Sequence, residues 1–129
     1  MVDFVFERKR RQARIILVRG IPHPSFVSFS EPPEIVPFSF GKPQVNEGDF
    51  AQLTCSVSRG DQPLKITWSL KGDVISSEPT LTTTMIGTRT SILIINSVGY
   101  RHSGLFTCRA TNKAGSVSYS TDLKVNGTI

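Results

Sequence analysis

The side chains that most often carry out chemistry are few in this chain of 129 residues. There are two histidines, His23 in a proline-rich stretch and His102 in an expected loop, and neither has cysteine or carboxylate neighbours at the spacing of metal ligands. The two cysteines, Cys55 and Cys108, are too few for a four-thiolate zinc site but enough for one long-range bridge. Glycine-rich phosphate loops are also missing, so the sequence predicts no enzyme, no cofactor and no metal site.

The positive charge of the chain is concentrated near its start. Fifteen Lys and Arg against ten Asp and Glu give a net +5, but residues 1–31 hold six of the basic groups and three of the acidic ones, which leaves +2 for the rest. The basic run at residues 8–11 could be a nuclear-localisation signal, a nucleic-acid patch or a processing site. A solvated tail is favoured, because Pro22, Pro24 and the serines that follow cannot continue a regular element. Residues 1–31 are therefore predicted to be a disordered basic tail that could lie outside the mature protein, and no nucleic-acid partner is expected.

The first residues do not have the order of a secretory signal, which needs an unbroken apolar stretch of about 7 to 15 residues. The longest such stretch here, residues 15–18, is closed by Arg19 and Gly20. An apolar run of about 18 residues is also absent, so no transmembrane helix is expected in this chain. We therefore expect neither a signal peptide nor a membrane span in the sequence as given.

From Pro32 onward the sequence predicts an antiparallel all-β domain. Short runs rich in Thr, Val, Ile, Ser and Phe are broken by Gly, Pro, Asn and Asp about every ten residues, and no stretch has the helical period. The predicted strands span residues 34–38, 44–47, 50–58, 64–71, 81–86, 90–95, 104–112 and 116–125. Prolines flank the first two, which should therefore lie on a sheet edge, where a missing N–H does not interrupt a ladder.

Alternation of apolar residues assigns the inward faces of these strands. Leu53 shares a side with Cys55, Phe106 shares a side with Cys108, and Trp68 lies thirteen residues after the first cysteine. Two inward cysteines on separate strands beside an indole indicate two packed sheets joined by a disulfide. Such a bridge would stabilise the domain by about 4 kcal/mol and requires an oxidising compartment. The alternative is a reduced, buried pair in an intracellular structural domain.

The motifs together resemble the immunoglobulin fold. They are Leu53-Thr54-Cys55, Trp68, the alternation of Leu93 and Ile95, the run from Gly104 to Cys108, and Asn112-Lys113-Ala114-Gly115. The resemblance implies an immunoglobulin-like two-sheet sandwich over residues 32–126, of the intermediate set, with Trp68, Leu53, Phe106, Leu93 and Ile95 in its core. Two positions depart from the pattern, since His102 replaces the usual Asp and Phe106 lacks the hydroxyl of the usual Tyr. We expect both to weaken that corner of the sheet.

A closer resemblance is to the seventh immunoglobulin domain of the arthropod Down syndrome cell adhesion molecule family. It rests on residues 32–41, 55–61, 101–104 and 112–115. In that family alternative exons encode this domain. The resemblance implies an extracellular adhesion and recognition module of a membrane-anchored parent, whose partner is an identical domain on another copy, in neuronal wiring and in immune recognition. The alternative is an intracellular structural domain of the muscle-filament type.

The end of the chain carries a further motif. Asn126-Gly127-Thr128 is an acceptor for N-linked glycosylation, and residues 127–129 are expected to be the start of a linker. A glycan at Asn126 would agree with the secretory route that a disulfide requires.

One run breaks the alternation expected of a sandwich strand. Residues 92–95 are all apolar, and if Leu93 and Ile95 point inward then Ile92 and Ile94 point out of the sheet formed by the first, second, fourth and fifth strands. A loop or the tail could cover the two isoleucines, or they could form a contact patch. The family resemblance implies self-pairing through this sheet.

Further candidates for that patch lie on the neighbouring strands. Gln52, Thr54 and Ser56 are expected to point outward beside Ile92 and Ile94. On the strand at residues 81–86 the sequence leaves open whether residues 82 and 84 or residues 83 and 85 face outward.

Overall fold

The computed structural model describes residues 14–18, 21–27, 30–75 and 78–126, the first two ranges as backbone only. Strands β1 (Arg14–Val18) and β2 (Ile21–Val27) pair antiparallel. The expectation that Pro22 and Pro24 exclude any regular element is therefore wrong for these residues. Each strand of a two-stranded sheet has one free edge, where a proline interrupts no ladder bond. The basic run at residues 8–11 lies outside the described residues.

The remaining strands form the predicted two-sheet sandwich. In chain order they are β3 (Glu34–Ile35), β4 (Val45–Asn46), β5 (Ala51–Arg59), β6 (Lys65–Leu70), β7 (Asp73–Val74), β8 (Leu81–Ile86), β9 (Thr90–Ile95), β10 (Gly104–Asn112), β11 (Gly115–Leu123) and β12 (Val125–Asn126). One sheet has the order β3-β5-β9-β8 and the other β11-β10-β6-β7, while β4 and β12 pair in parallel. The all-β sandwich is confirmed, with β3 on a sheet edge as its prolines predicted.

The bounds of β8, β9 and β10 agree with the prediction, whereas β7 was missed. Lys71 and Gly72 both have positive φ, 54° and 88°, and form the two-residue turn between β6 and β7, in which Leu70 pairs with Asp73. Such a turn matches the twist of a hairpin. A strand of two residues is too short to carry an alternating pattern, so β7 leaves no signal in the sequence.

The core lies between the two sheets around the disulfide. Cys55 and Cys108 are bonded, are both fully buried and are 53 residues apart. Trp68 is buried beside them and donates its indole N–H to Ser91 Oγ at 2.9 Å. The remaining residues of the expected core, each at most 1% exposed, are Leu53, Leu93, Ile95 and Phe106.

The sheet corner at His102 has more partners than the sequence suggested. His102 ends a short 3-10 turn and is 2% exposed. Its Nδ1 accepts the Gly99 N–H at 2.9 Å, so Nε2 carries the proton and donates to Thr80 Oγ1 at 2.9 Å, and this hydroxyl donates to Glu78 Oε1 at 3.0 Å. The expectation that His102 weakens the corner is wrong, because a neutral imidazole caps the turn as an acceptor and links it to the start of β8.

The pKa values of His102 and Glu78, at the two ends of this chain of hydrogen bonds, are both lowered. Burial lowers the pKa of His102, and the positive charge of Arg101 acts in the same direction, against the opposing effect of Glu78. The backbone N–H of Thr80 lowers the pKa of Glu78, and the Thr80 hydroxyl adds to the effect. The corner is therefore arranged for a neutral His102 and an ionised Glu78. Phe106, which lacks a hydroxyl, packs edge-on against Phe40 with ring centroids 5.4 Å apart.

The sandwich includes one residue before its predicted start at residue 32. The Glu31 N–H donates to Asp61 Oδ2 at 2.9 Å, and Glu31 O accepts from the Asp61 N–H at 3.0 Å and from Asn112 Nδ2 at 2.7 Å. Gly60 has φ of 124°, and a Cβ added there would lie 2.7 Å from Pro33 Cα. These contacts attach the beginning of the domain to two loops at the same end of the sandwich.

Candidate functional site

The outward side chains of β5, β9 and β8 form a surface that we call the outer face. Residues directly opposite in an antiparallel ladder point to the same side of the sheet, so the register fixes its members. The three cross-strand rows are Gln52–Ile94–Thr82, Thr54–Ile92–Thr84 and Ser56–Thr90–Ile86. All five residues expected from the sequence lie together in these rows.

Burial along β9 separates the two sides of the strand. Leu93 and Ile95 have no exposed surface, whereas Ile92 and Ile94 are partly buried on the opposite side. The two isoleucines occupy the strand between β5 and β8, so side chains on both neighbouring strands flank them. The centre of the outer face is therefore apolar.

The register also settles which side of β8 faces outward. Thr82 lies opposite Ile94 and Thr84 lies opposite Ile92, so these two threonines belong to the outer face. Leu81 is 7% exposed and marks the inward side, which Thr83 and Met85 share. The buried leucine was the signal available in the sequence, but three successive threonines hide the alternation. Thr90 and Ile86 complete the face and were not expected.

None of the nine side chains in the three rows is charged. Ser56 Oγ and Thr90 Oγ1 are 3.2 Å apart and hydrogen-bonded to each other. Charged groups lie at the margin, where Arg59 Nε is 3.2 Å from Glu34 Oε1. An apolar, uncharged centre with charged groups at the rim is typical of a protein–protein contact.

Asn126 is the last residue of β12, which pairs with β4 and is not part of the outer face. It is exposed, and its Nδ2 donates to Asn46 Oδ1 at 3.3 Å. Gly127 and Thr128, which complete the glycosylation motif, and the expected linker at residues 127–129 lie outside the described residues.

Within residues 30–75 and 78–126 no three His, Cys, Asp or Glu side chains come together as metal ligands would. The described residues also contain no helix of the length and hydrophobicity needed to cross a bilayer.

A family model described as an immunoglobulin domain matches residues 32–112. The chain belongs to the immunoglobulin domain family. The chain is 42% identical over 96 residues to the cell adhesion molecule Dscam1 of Drosophila melanogaster, an alignment that covers 74% of this chain and 5% of that protein. The immunoglobulin domain thus spans about one twentieth of the length of the curated relatives it matches.

Comparison with solved structures also shows similarity to the Dscam family, here to a single immunoglobulin domain. A crystal structure of the Dscam1 Ig7 domain, isoform 5, superposes with a TM-score of 0.71 and 44% identity, covering 74% of this chain and 97% of that one. An I-band fragment of titin superposes with a TM-score of 0.67 at 28% identity, covering 74% of this chain and 33% of the fragment. The resemblance to the seventh domain of the Dscam family is confirmed, and the chain is an immunoglobulin module of the adhesion type.

Proposed function

We propose that this domain is an extracellular adhesion and recognition module that binds an identical domain on another copy through the outer face. The observation that carries the proposal is the uncharged, isoleucine-centred outer face in a domain 44% identical to the Dscam1 Ig7 domain. By analogy with that family, the biological setting is neuronal wiring, with immune recognition as a second setting. The alternative of a muscle-filament domain has weaker support, since the titin fragment is 28% identical.

Self-pairing about a two-fold axis requires one surface to complement itself. An uncharged face meets this requirement in its simplest form, because no like charges oppose one another when two copies meet. Ile92 and Ile94 are partly buried in the single chain and would lose their remaining contact with water in the pair. Their burial supplies the attraction between copies.

Specificity comes from the polar side chains around the isoleucines. Gln52 and Thr82 flank Ile94, and both are exposed. A variant that sets an apolar or larger side chain against this amide or hydroxyl leaves a buried polar group unpaired, at about 1–3 kcal/mol each. Mismatched variants are therefore rejected even though the apolar centre is shared.

Covalent chemistry supports an extracellular compartment. The Cys55–Cys108 disulfide is the kind of bond that forms and persists in the secretory pathway, and glycosylation of the motif at Asn126 would need the same route. A parent protein that is anchored to the membrane and carries several such domains in series would convert weak single-domain pairing into useful avidity.

The test is aggregation of beads that display many copies of the full chain. Ile92→Lys combined with Ile94→Lys places two like charges on the outer face of each copy and should abolish aggregation. The matched control is Leu105→Lys with Thr107→Lys, which places two lysines two residues apart on the outward side of β10 in the other sheet. Aggregation that persists with lysines at 92 and 94, or that is lost equally in the control, would refute the outer face as the binding surface.

A further inference from the structure

Within the described residues, the edge that β8 forms beside the outer face has no proline, charged side chain or bulge that would discourage pairing with another strand. Within the described residues, β8 ends its sheet and pairs only with β9. Proteins usually protect such an edge with a proline, a lysine, a bulge or a very short strand. Residues 81–88 contain no proline and no charged side chain, and β8 pairs with β9 over six residues without a shift in register.

The other edges of the sandwich differ from β8 in this respect. The opposite edge strand of the same sheet, β3, is only two residues long and has Pro33 and Pro37 nearby on either side. Its Glu34 forms an ion pair with Arg59. In the second sheet, β7 has two residues, and β11 carries Asp122 and is continued by β12, which pairs with β4. Among the described edge strands longer than two residues, β8 is therefore the one that carries neither a charged side chain nor a proline.

Exposed apolar side chains accompany this edge. Met85 and Val74, on β8 and on the neighbouring edge strand β7, are 46% and 64% exposed. A cavity of about 200 Å³ opens between the two strands, with Thr83, Met85 and Val74 in its wall, whereas Asp73 lines a different depression. The inward side of β8 is thus left incompletely covered by its own sandwich.

We propose that β8 is a second contact surface, at which two copies of this chain join edge to edge through antiparallel pairing of their β8 strands. This contact is separate from the proposed pairing through the outer face. A second copy is the occupant because the edge is complementary to itself: a two-fold axis brings β8 against β8 in the antiparallel direction, and with no charge from residue 81 to residue 88 no like charges oppose.

The faces of the two sheets restrict the register of this pairing. A two-fold axis perpendicular to the sheet keeps the outer faces of both copies on one side. Directly opposed residues point to the same side of the sheet, so a residue of one β8 must oppose the same residue, or one an even number of positions away, in the other β8. The axis therefore passes midway between two copies of one residue. An axis through Thr83 pairs Thr82 with Thr84 and Leu81 with Met85. Hydroxyls then oppose hydroxyls, and the exposed Met85 gains an apolar partner.

The edge pairing has two structural consequences. The eight strands of the two β3-β5-β9-β8 sheets become one continuous sheet. The inward side chains of the second β8 also lie beside the open side of the cavity next to Val74, so each copy covers apolar surface that the other leaves exposed.

Disulfide trapping tests the contact. Thr83→Cys in the full chain should form an intermolecular cross-link under mild oxidation, because the two Cβ atoms at the axis would be about 4.5–5.5 Å apart and a small shift of the two edges brings them to the about 3.5–4.5 Å of a disulfide. Ser118→Cys, an exposed position on β11, serves as the collision control and should form no such cross-link. A peptide map under non-reducing conditions checks that Cys55 and Cys108 remain paired. No cross-link at 83, or equal cross-linking at 118, would overturn the proposal.

Two further variants separate this contact from the proposed function. Met85→Lys added to Thr83→Cys should remove the cross-link while bead aggregation through the outer face persists. Ile92→Lys with Ile94→Lys added to Thr83→Cys should leave the cross-link intact. A cross-link lost on changing 92 and 94 would assign the dimer to the outer face and overturn the edge contact. Bead aggregation that is unchanged when Met85→Lys, which blocks the edge contact, is combined with Ile92→Lys and Ile94→Lys would count against the proposed function alone.

Discussion

Mild acid should destabilise this domain through the buried imidazole of His102. Its Nδ1 accepts the Gly99 N–H at 2.9 Å, so protonation at Nδ1 would set two donors against each other in a site that is 2% exposed. Losing this bond and leaving a buried N–H without an acceptor should destabilise the fold by about 1–2 kcal/mol at about pH 5, because uptake of one proton below pH 6.5 changes the free energy of unfolding by at most about 1.4 kcal/mol per pH unit. For a domain of this size each 1 kcal/mol lowers Tm by about 4–8 °C.

The direction of the pH dependence follows from the pKa of His102. Burial lowers that pKa below its ordinary value of 6.5, so the folded state binds fewer protons than the unfolded state. The contribution of His102 is fully present above pH 6.5 and is lost as the pH falls from 6.5 through the folded-state pKa. Glu78, whose pKa is lowered from 4.5, contributes stability that is lost as the pH falls below 4.5, which is more acidic than the range of the assay below.

The assay is thermal unfolding followed by circular dichroism at pH values from about 7.5 down to about 5. His102→Asn keeps an acceptor for the Gly99 N–H but does not titrate, and it should flatten the decrease in Tm. His23→Asn removes the other histidine of the chain and should retain the decrease. If His102→Asn loses Tm with acid as steeply as the parent protein, the reasoning about this corner is refuted.

Three other changes probe the core, the start of the domain and the compartment. Ser91→Ala removes the acceptor of the buried Trp68 N–H, at 2.9 Å, and should destabilise the fold by about 1–3 kcal/mol in chemical denaturation; an unchanged midpoint would contradict the role of this bond. Gly60→Ala places a Cβ 2.7 Å from Pro33 Cα at a φ of 124°, and we expect the free energy of unfolding to fall by about 1–3 kcal/mol in the same assay. Unchanged stability would mean that the loop accommodates the Cβ without strain. The chain secreted from eukaryotic cells should carry a glycan that Thr128→Ala removes, as read by intact mass, and a parent mass without glycan would count against use of the Asn126 motif.

Alternation in the sequence was informative wherever a strand has one buried and one exposed side. Leu53 with Cys55 and Phe106 with Cys108 identified the inward faces because these strands lie against the opposing sheet along their length. Alternation does not indicate the inward side of β8, where Thr83 and Met85 point inward but remain exposed at an open edge. On this strand an inward side chain need not be buried, so apolar and polar residues need not alternate.

Local signals also failed where tertiary contacts or chain geometry determine the structure. The short strand β7 depends on the turn at Lys71 and Gly72, and Pro22 and Pro24 lie within β2, whose described partner is β1 alone. His102 looked like a poor substitute for a carboxylate, because Thr80, its partner at Nε2, lies 22 residues earlier in the chain. None of these contacts leaves a pattern in neighbouring residues.

Charge complementation on the outer face is the most direct test of self-recognition. Beads carrying Ile92→Lys with Ile94→Lys and beads carrying Ile92→Glu with Ile94→Glu should each fail to aggregate alone, because like charges meet across the two-fold axis. Mixed together, the two kinds of bead should aggregate with each other, since opposite charges then face one another in the same contact. If each variant still aggregates alone, or if the mixture stays dispersed while the parent protein aggregates, the outer face is not a self-complementary binding surface.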